Sequence, residues 1–181
     1  MSIDVLQKSD IPTGTWVIDA GHSEVGFTAR HLMSKVRGQF EKFEGQITTG
    51  DSLEDTRAAA TIDLNSVNTR DEQRDGHLRS ADFFDVEKFG QMTFTATSFE
   101  GTTAVGDLTI KGVTKPVELE VEFLGIGQDP WGGERLGFEA NGVINRKDFG
   151  VDFNVPLDGG KLLIGDKVSI HLAVEAVLVR A

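Results

Sequence analysis

Four histidines, a scatter of carboxylates and no cysteine bound the chemistry open to this chain. Without a thiol there is no cysteine nucleophile, disulfide, Cys-ligated zinc or covalent c-type haem. His22 and His31 invite a metal reading. They stand nine apart on one apparent strand, so regular alternation sends them to opposite faces and they cannot chelate together. His31 shares a parity with Phe27 and has two open uses, touching a ligand head group or sitting as a satisfied core histidine. His22-Ser23 follows a turn and suits a turn-stabilising hydrogen bond. Asp71, Asp75, His77 and Arg79 crowd one short stretch. Asp75 and Arg79 are four apart and can pair on a helix, whereas Asp75 and His77 face different ways. That favours structural pairing over acid–base catalysis. No Gly-x-Ser-x-Gly elbow, phosphate loop or His-Glu-x-x-His motif occurs. No catalytic residue and no metal ligand is assigned.

The elements around these residues are strands. From Trp16 onward apolar and polar residues alternate with a period of two, the mark of a half-buried strand. Val25, Phe27 and Ala29 face one way, and Glu24, Thr28 and Arg30 the other. Val36, Gly38 and Phe40 share one parity while Phe43, Gly45 and Ile47 share the next. The switch at Glu41-Lys42 predicts a β-bulge. Ala58 to Leu64, Met92 to Ala96, Gly106 to Ile110, Val117 to Phe123, Leu136 to Ile144 and Val168 to Ala176 repeat the pattern. Gly101 to Gly106 closes a hairpin and does not open a helix. Between 68 and 84 the alternation breaks. Thr69 and Glu72 have capping-box spacing, which predicts a short helix over 70–79. The count is eight or nine strands, one helix and one domain, an all-β barrel or sandwich. Residues 145–166 are long for a hairpin connection. Phe149, Val151 and Phe153 alternate there and Gly150, Gly159 and Gly160 offer pivots, so the segment reads as a flap over a barrel mouth or a fixed edge strand plugging it.

Composition narrows the function classes. The formal net charge is −11, with no basic cluster of the kind nucleic acid requires, and on average an anionic membrane would repel the chain. No apolar run reaches the roughly 18 residues of a membrane helix, and the N-terminus lacks signal-peptide character. A cytoplasmic location is the expectation. Phe supplies 12 aromatic residues and Tyr none, which suits a wall without polar handles or plain core packing.

Six segments, taken in order, resemble the YceI-like family of polyisoprenoid-binding, lipocalin-like proteins. They are Ile18-Asp-Ala-Gly-His-Ser23 with Phe27 and His31; Gly38-Gln-Phe40 with Phe43-Glu-Gly45; Asp63 to Thr69; Arg74 to Leu78 with Asp82 to Asp85; Gly106 to Pro116 after Phe94; and Asn145-Arg-Lys-Asp-Phe-Gly150. The resemblance implies an antiparallel lipocalin-like barrel of about eight strands with a short helix near one end, spanning residues 15–181 after a lead-in over 1–14. It implies an apolar tunnel for an isoprenoid lipid, such as a polyprenyl phosphate or a quinone tail, no enzymatic activity, no cofactor beyond that ligand, and a homodimer. Many members carry a signal peptide, and this sequence departs from that pattern. The wall residues would be Phe27, Ala29, His31, Phe40, Phe43, Ile62, Phe94, Leu108 and Phe138, with Phe149 and Phe153 from the long segment. Alternation alone favours a solid core of the same residues, and the resemblance reverses that preference. Two further readings remain, a small hydrolase or isomerase at the barrel mouth using His31, His77 or Asp75, and a b-type haem carrier with His31 as axial ligand.

Overall fold

A computed structural model describes residues 11–179. Its strands are β1 (Gly14–Ile18), β2 (Glu24–His31), β3 (Ser34–Phe40), β4 (Phe43–Thr49), β5 (Arg57–Asp63), β6 (Val67–Asn68), β7 (Gln91–Glu100), β8 (Thr103–Ile110), β9 (Val113–Gln128), β10 (Glu134–Asn145) and β11 (Ile164–Leu178). One α-helix, α1 (Glu72–Arg79), interrupts them. Pairing runs β1–β4–β5–β7–β8–β9–β10–β11 and returns to β1, a closed eight-stranded antiparallel barrel. Closure removes the free edges that an open sheet of this length would expose.

Two strand breaks interrupt the wall of the barrel, at 19–23 and at 41–42. β1 and β2 follow one path along β11, where Trp16 pairs with Leu178 and Phe27 with Ile170. A 3-10 turn, Ala20–His22, separates them, and Asp19 caps it by accepting from the Gly21 amide. β3 returns along β2 and β4 then joins β1 and β5. The parity switch foreseen as a bulge at Glu41-Lys42 is instead this two-residue break. Phe40 ends β3 opposite Val25, Phe43 begins β4 opposite Ile62, and the chain changes partners between them. β3 meets β6 only through Gln39 and Phe40.

The inner face follows the alternation. Val117 and Leu119 are buried while Glu118 and Glu120 are exposed. Trp16, Ile47, Leu136 and Ala176 close the end of the barrel away from α1, joined by Ile11. Phe83, Leu108, Ile110, Phe149 and Val151 pack together at the α1 end. Of the expected lead-in, residues 1–10 lie outside the described residues.

The helix begins later than its spacing suggested. Asp71, not Thr69, is the N-cap and accepts from the Arg74 amide. Arg70 takes a left-handed φ of 65° and so cannot start the helix. Thr69 turns to Asp75, whose buried carboxylate accepts from its amide at 2.9 Å and its hydroxyl at 2.6 Å. The expected Asp75–Arg79 pair does not form, because Arg79 Nε donates to the Asn65 carbonyl.

Candidate ligand cavity

The barrel encloses a cavity of about 1910 Å³. Sites for drug-sized molecules span roughly 300–1,000 Å³, and ordinary interiors hold few voids larger than a water. The inward residues therefore wall a chamber and do not fill it. Phe27, Ala29 and His31 reach it from β2, Phe40 and Phe43 from either side of the strand break, and Ile62 from β5. Phe94, Leu108 and Phe138 come from β7, β8 and β10, and Phe149 and Phe153 from the long segment. Every wall residue read from the sequence thus lies on this one surface. Phe27, Phe43, Phe94, Phe138 and Phe153 are only half-buried although they point inward, because part of each ring faces the chamber. Phe40, Ile62, Leu108 and Phe149 are buried behind them.

Glycines let these rings lie flat. A Cβ on Gly38 would stand 2.4 Å from Phe27 Cζ, and one on Gly106 would stand 2.6 Å from Phe94 Cζ and 2.5 Å from the Thr95 carbonyl. Glycine in a strand interior marks such close approach.

The polar part of the wall is divided between the two ends. His31, Arg74, His77 and Arg146 line the α1 end and Glu54 and Arg57 the other, while Arg30, Glu120 and Glu122 border the cavity from strand positions of outward parity. Strand direction fixes this split. His31 ends β2 beside the start of β11, whereas Glu120 lies opposite Thr103 at the far end of β8. Sequence reading did not find Arg74 or Arg146 as wall residues.

Arg146 also organises the 145–166 segment. It lies on a 3-10 turn, Arg146–Phe149, capped by Asn145 and ended by Gly150 at φ 73°. Its Nη1 donates to the carbonyls of Val151 (2.8 Å) and Phe153 (2.9 Å), and its Nε to that of Gly165 (2.9 Å). Burial lowers its pKa, since the nearest carboxylate, Asp166, is 4.0 Å away and shared with Lys147. Asn154 adds a second tie, donating to the Ile164 carbonyl and accepting from its amide. Phe149 is 1% exposed and Val151 is buried, so these two belong to the core and not to a flap. Gly150 ends the 3-10 turn and does not act as a pivot. Phe153 reaches the cavity between His77 and Phe83, with ring centroids 5.0 and 5.2 Å away.

The histidines separate as their spacing requires, though His22 lies on the 3-10 turn and not on β2. His22 Nδ1 is 2.8 Å from Asp19 Oδ2, which also accepts from Arg135 Nη1. Arg135 first, and His22 second, hold Asp19's carboxyl down to about 2. Arg135 likewise lowers Asp129, and the two carboxylates raise Arg135. This network fastens the β9–β10 turn to the Asp19 corner. His31 stays on the cavity wall, and His77 Nε2 pairs with Asp82 at 2.8 Å. Among the described residues no group of three or more His, Asp or Glu could hold a metal ion, and no helix is long and apolar enough to cross a membrane.

A closed antiparallel barrel around a long apolar chamber defines a lipocalin-like binding barrel. The YceI-like domain profile matches residues 16–176, and the chain belongs to that family. A UPF0312 protein of Staphylococcus aureus (strain MSSA476) is 39% identical over 166 residues, 88% of this chain and 95% of that protein. The structure of a Campylobacter jejuni YCEI protein superposes with a TM-score of 0.70 at 33% identity, over 83% of this chain and 90% of that one. Burkholderia cenocepacia BcnA gives a TM-score of 0.73 at 24% identity, over 87% and 98%. A polyisoprenoid binding domain from Saccharophagus degradans gives 0.70 at 18% identity, over 93% and 100%. At those last two identities the likeness is one of fold.

Proposed function

We propose that the barrel binds one isoprenoid lipid for storage, transport or sequestration, with its chain along the cavity and an anionic head at the α1 end, and that it performs no catalysis. The carrying observation is a large apolar chamber with Arg74 and Arg146 on its wall at the α1 end, where no carboxylate among the described residues lines it, while the far end sets its one arginine, Arg57, beside Glu54 on the wall. Each buried CH₂ contributes about 0.8 kcal/mol, so a few isoprene units supply useful affinity without polar contacts. Arg74 and Arg146 favour a phosphate-type head over an uncharged quinone. The description of the Saccharophagus neighbour as polyisoprenoid binding agrees with the chain part of this reading. The alternatives have less behind them. Asp75 is buried and held by Thr69, and His77 pairs with Asp82 with no nucleophilic hydroxyl among the described residues hydrogen-bonded to its ring, so a barrel-mouth hydrolase would lack its nucleophile.

The test compares geranylgeranyl phosphate with geranylgeraniol, which share one chain. Both should bind, the phosphate more tightly and with the greater salt sensitivity, and Arg74→Gln should reduce only the phosphate's advantage. Ala29→Trp and Phe94→Trp, which put bulk into the chamber, should block both ligands in folded protein. Unchanged affinity in both tryptophan variants would refute binding inside the barrel.

A further inference from the structure

The turn between β2 and β3 places Leu32 and Met33 in solvent at the α1 end, Met33 being 96% exposed. Leu162 and Val155 are exposed beside them. The Leu32 amide donates to the Leu163 carbonyl at 2.9 Å, the Leu163 amide donates to the Val155 carbonyl at 3.0 Å, and Pro156 bridges to Leu162. Four exposed apolar side chains from two distant segments therefore form one patch. It stands at the rim of the chamber, whose wall includes His31, Val155 and Leu163. Exposed apolar groups gathered at a cavity mouth mark an interaction surface.

The charges around this patch oppose the average of the chain. The net charge is −11, yet no acid occurs from Val25 to Phe40. That hairpin carries Arg30 and Lys35 directly opposite each other, and Arg37 on the same outward face. Lys161 adjoins Leu162. Of the acids in the neighbouring segment, Asp166 lies beside Lys147 and Arg146, leaving Asp148, Asp152 and Asp158, and α1 with its flanks adds Asp71, Glu72 and Asp85 beyond Asp75 and Asp82, which are held by Thr69 and His77. Further acids lie along β9 toward the far end, where Glu118, Glu120 and Glu122 alternate.

We infer that the α1 end docks on an anionic lipid bilayer, with Leu32 and Met33 entering the headgroup layer, Arg30, Lys35 and Arg37 meeting lipid phosphates, and the chamber mouth facing the membrane. The two features act together, because apolar insertion alone is weak and cations near an anionic leaflet add attraction. Repulsion of the acidic remainder turns this end toward the surface. The inference rests on the lipid-binding reading and adds the place where lipid enters and leaves.

The experiment is flotation of the full chain with vesicles of phosphatidylcholine alone or mixed with phosphatidylglycerol. It uses the wild type, a Leu32→Ser/Met33→Ser variant and a Lys35→Glu/Arg37→Glu variant. The wild type should float with the mixed vesicles, not with phosphatidylcholine alone, and should lose binding in high salt. Each variant should lose on the order of tenfold in vesicle affinity. Both should keep wild-type affinity for geranylgeraniol in solution, since the altered side chains are exposed. That readout separates loss of docking from loss of the lipid site. Absence of flotation with mixed vesicles, or flotation unchanged in both variants, would overturn the inference. So would a wild-type dimer, seen by sedimentation equilibrium, that Leu32→Ser/Met33→Ser makes monomeric, because the patch would then belong to a second copy of this chain.

Discussion

Replacing Arg146 by Met tests whether residues 145–166 are fastened across the chamber. The residue is 5% exposed and its guanidinium serves four carbonyls, those of Val151, Phe153 and Gly165 within 2.9 Å and that of Ile164 at 3.4 Å. Ile164 keeps another donor in Asn154, at 2.8 Å, so three carbonyls lose the bond. A buried acceptor left without a partner costs ~1–3 kcal/mol, which gives roughly 3–9 kcal/mol if none finds water. Against this, Met removes the cost of burying a charge, the cause of the lowered Arg146 pKa. A net loss of about 3 kcal/mol is expected, near the low end of that range. In a domain of this size each kcal/mol moves Tm by about 2–4 °C, so Tm should fall by roughly 6–12 °C. Arg146→Lys should recover little, because an ammonium cannot reach carbonyls on several sides of a planar fork. Urea unfolding of the three proteins is the assay. A loss under about 1 kcal/mol in the Met variant, or full recovery by Lys, would refute the fastening.

Three further outcomes follow from the same geometry. Phe153→Ser should cost about 2–3 kcal/mol through lost contacts with His77 and Phe83 and should also speed lipid release; faster release at an unchanged melting temperature would restore the flap. Gly106→Ala should cost about 1–3 kcal/mol, because its Cβ meets the Thr95 carbonyl at 2.5 Å and backbone cannot turn aside; an unchanged urea midpoint would contradict that contact. Asp19 has a folded pKa near 2 against an ordinary 3.8, so its contribution to stability is present above that ordinary value and is lost as pH falls through about 2. Asp19→Asn should flatten the fall in stability across that window, and an unaltered pH profile measured by urea unfolding would rule the network out as its source.

The barrel was legible in the sequence because each strand has one face toward the chamber and one toward water. Val117, Leu119 and Val121 against Glu118, Glu120 and Glu122 show this period most plainly. The wall aromatics followed from the same parity, but parity could not decide between a filled core and a chamber. That depends on how far apart closure holds the strands, a property of the whole ring and of no single segment. Local competition defeated the finer readings. Asp71 outcompeted Thr69 as helix cap, because Thr69 was already bound to Asp75 and Arg74. Arg146 looked no different from Lys147 in the run Asn145-Arg-Lys-Asp-Phe-Gly150, since its role depends on carbonyls up to 19 residues away. Arg74 and Arg146 meet at one end because α1 and the Arg146–Phe149 turn pack over the same mouth, a placement that one-dimensional spacing does not contain.

Mass spectrometry of the lipid extracted from protein purified from its own cells bears most directly on the central claim. A single stoichiometric isoprenoid carrying a phosphate-type head, depleted in the folded Phe94→Trp variant, is the predicted result. Protein that carries no lipid and fails to bind geranylgeranyl phosphate when supplied would contradict it, as would a bound molecule with no isoprenoid chain.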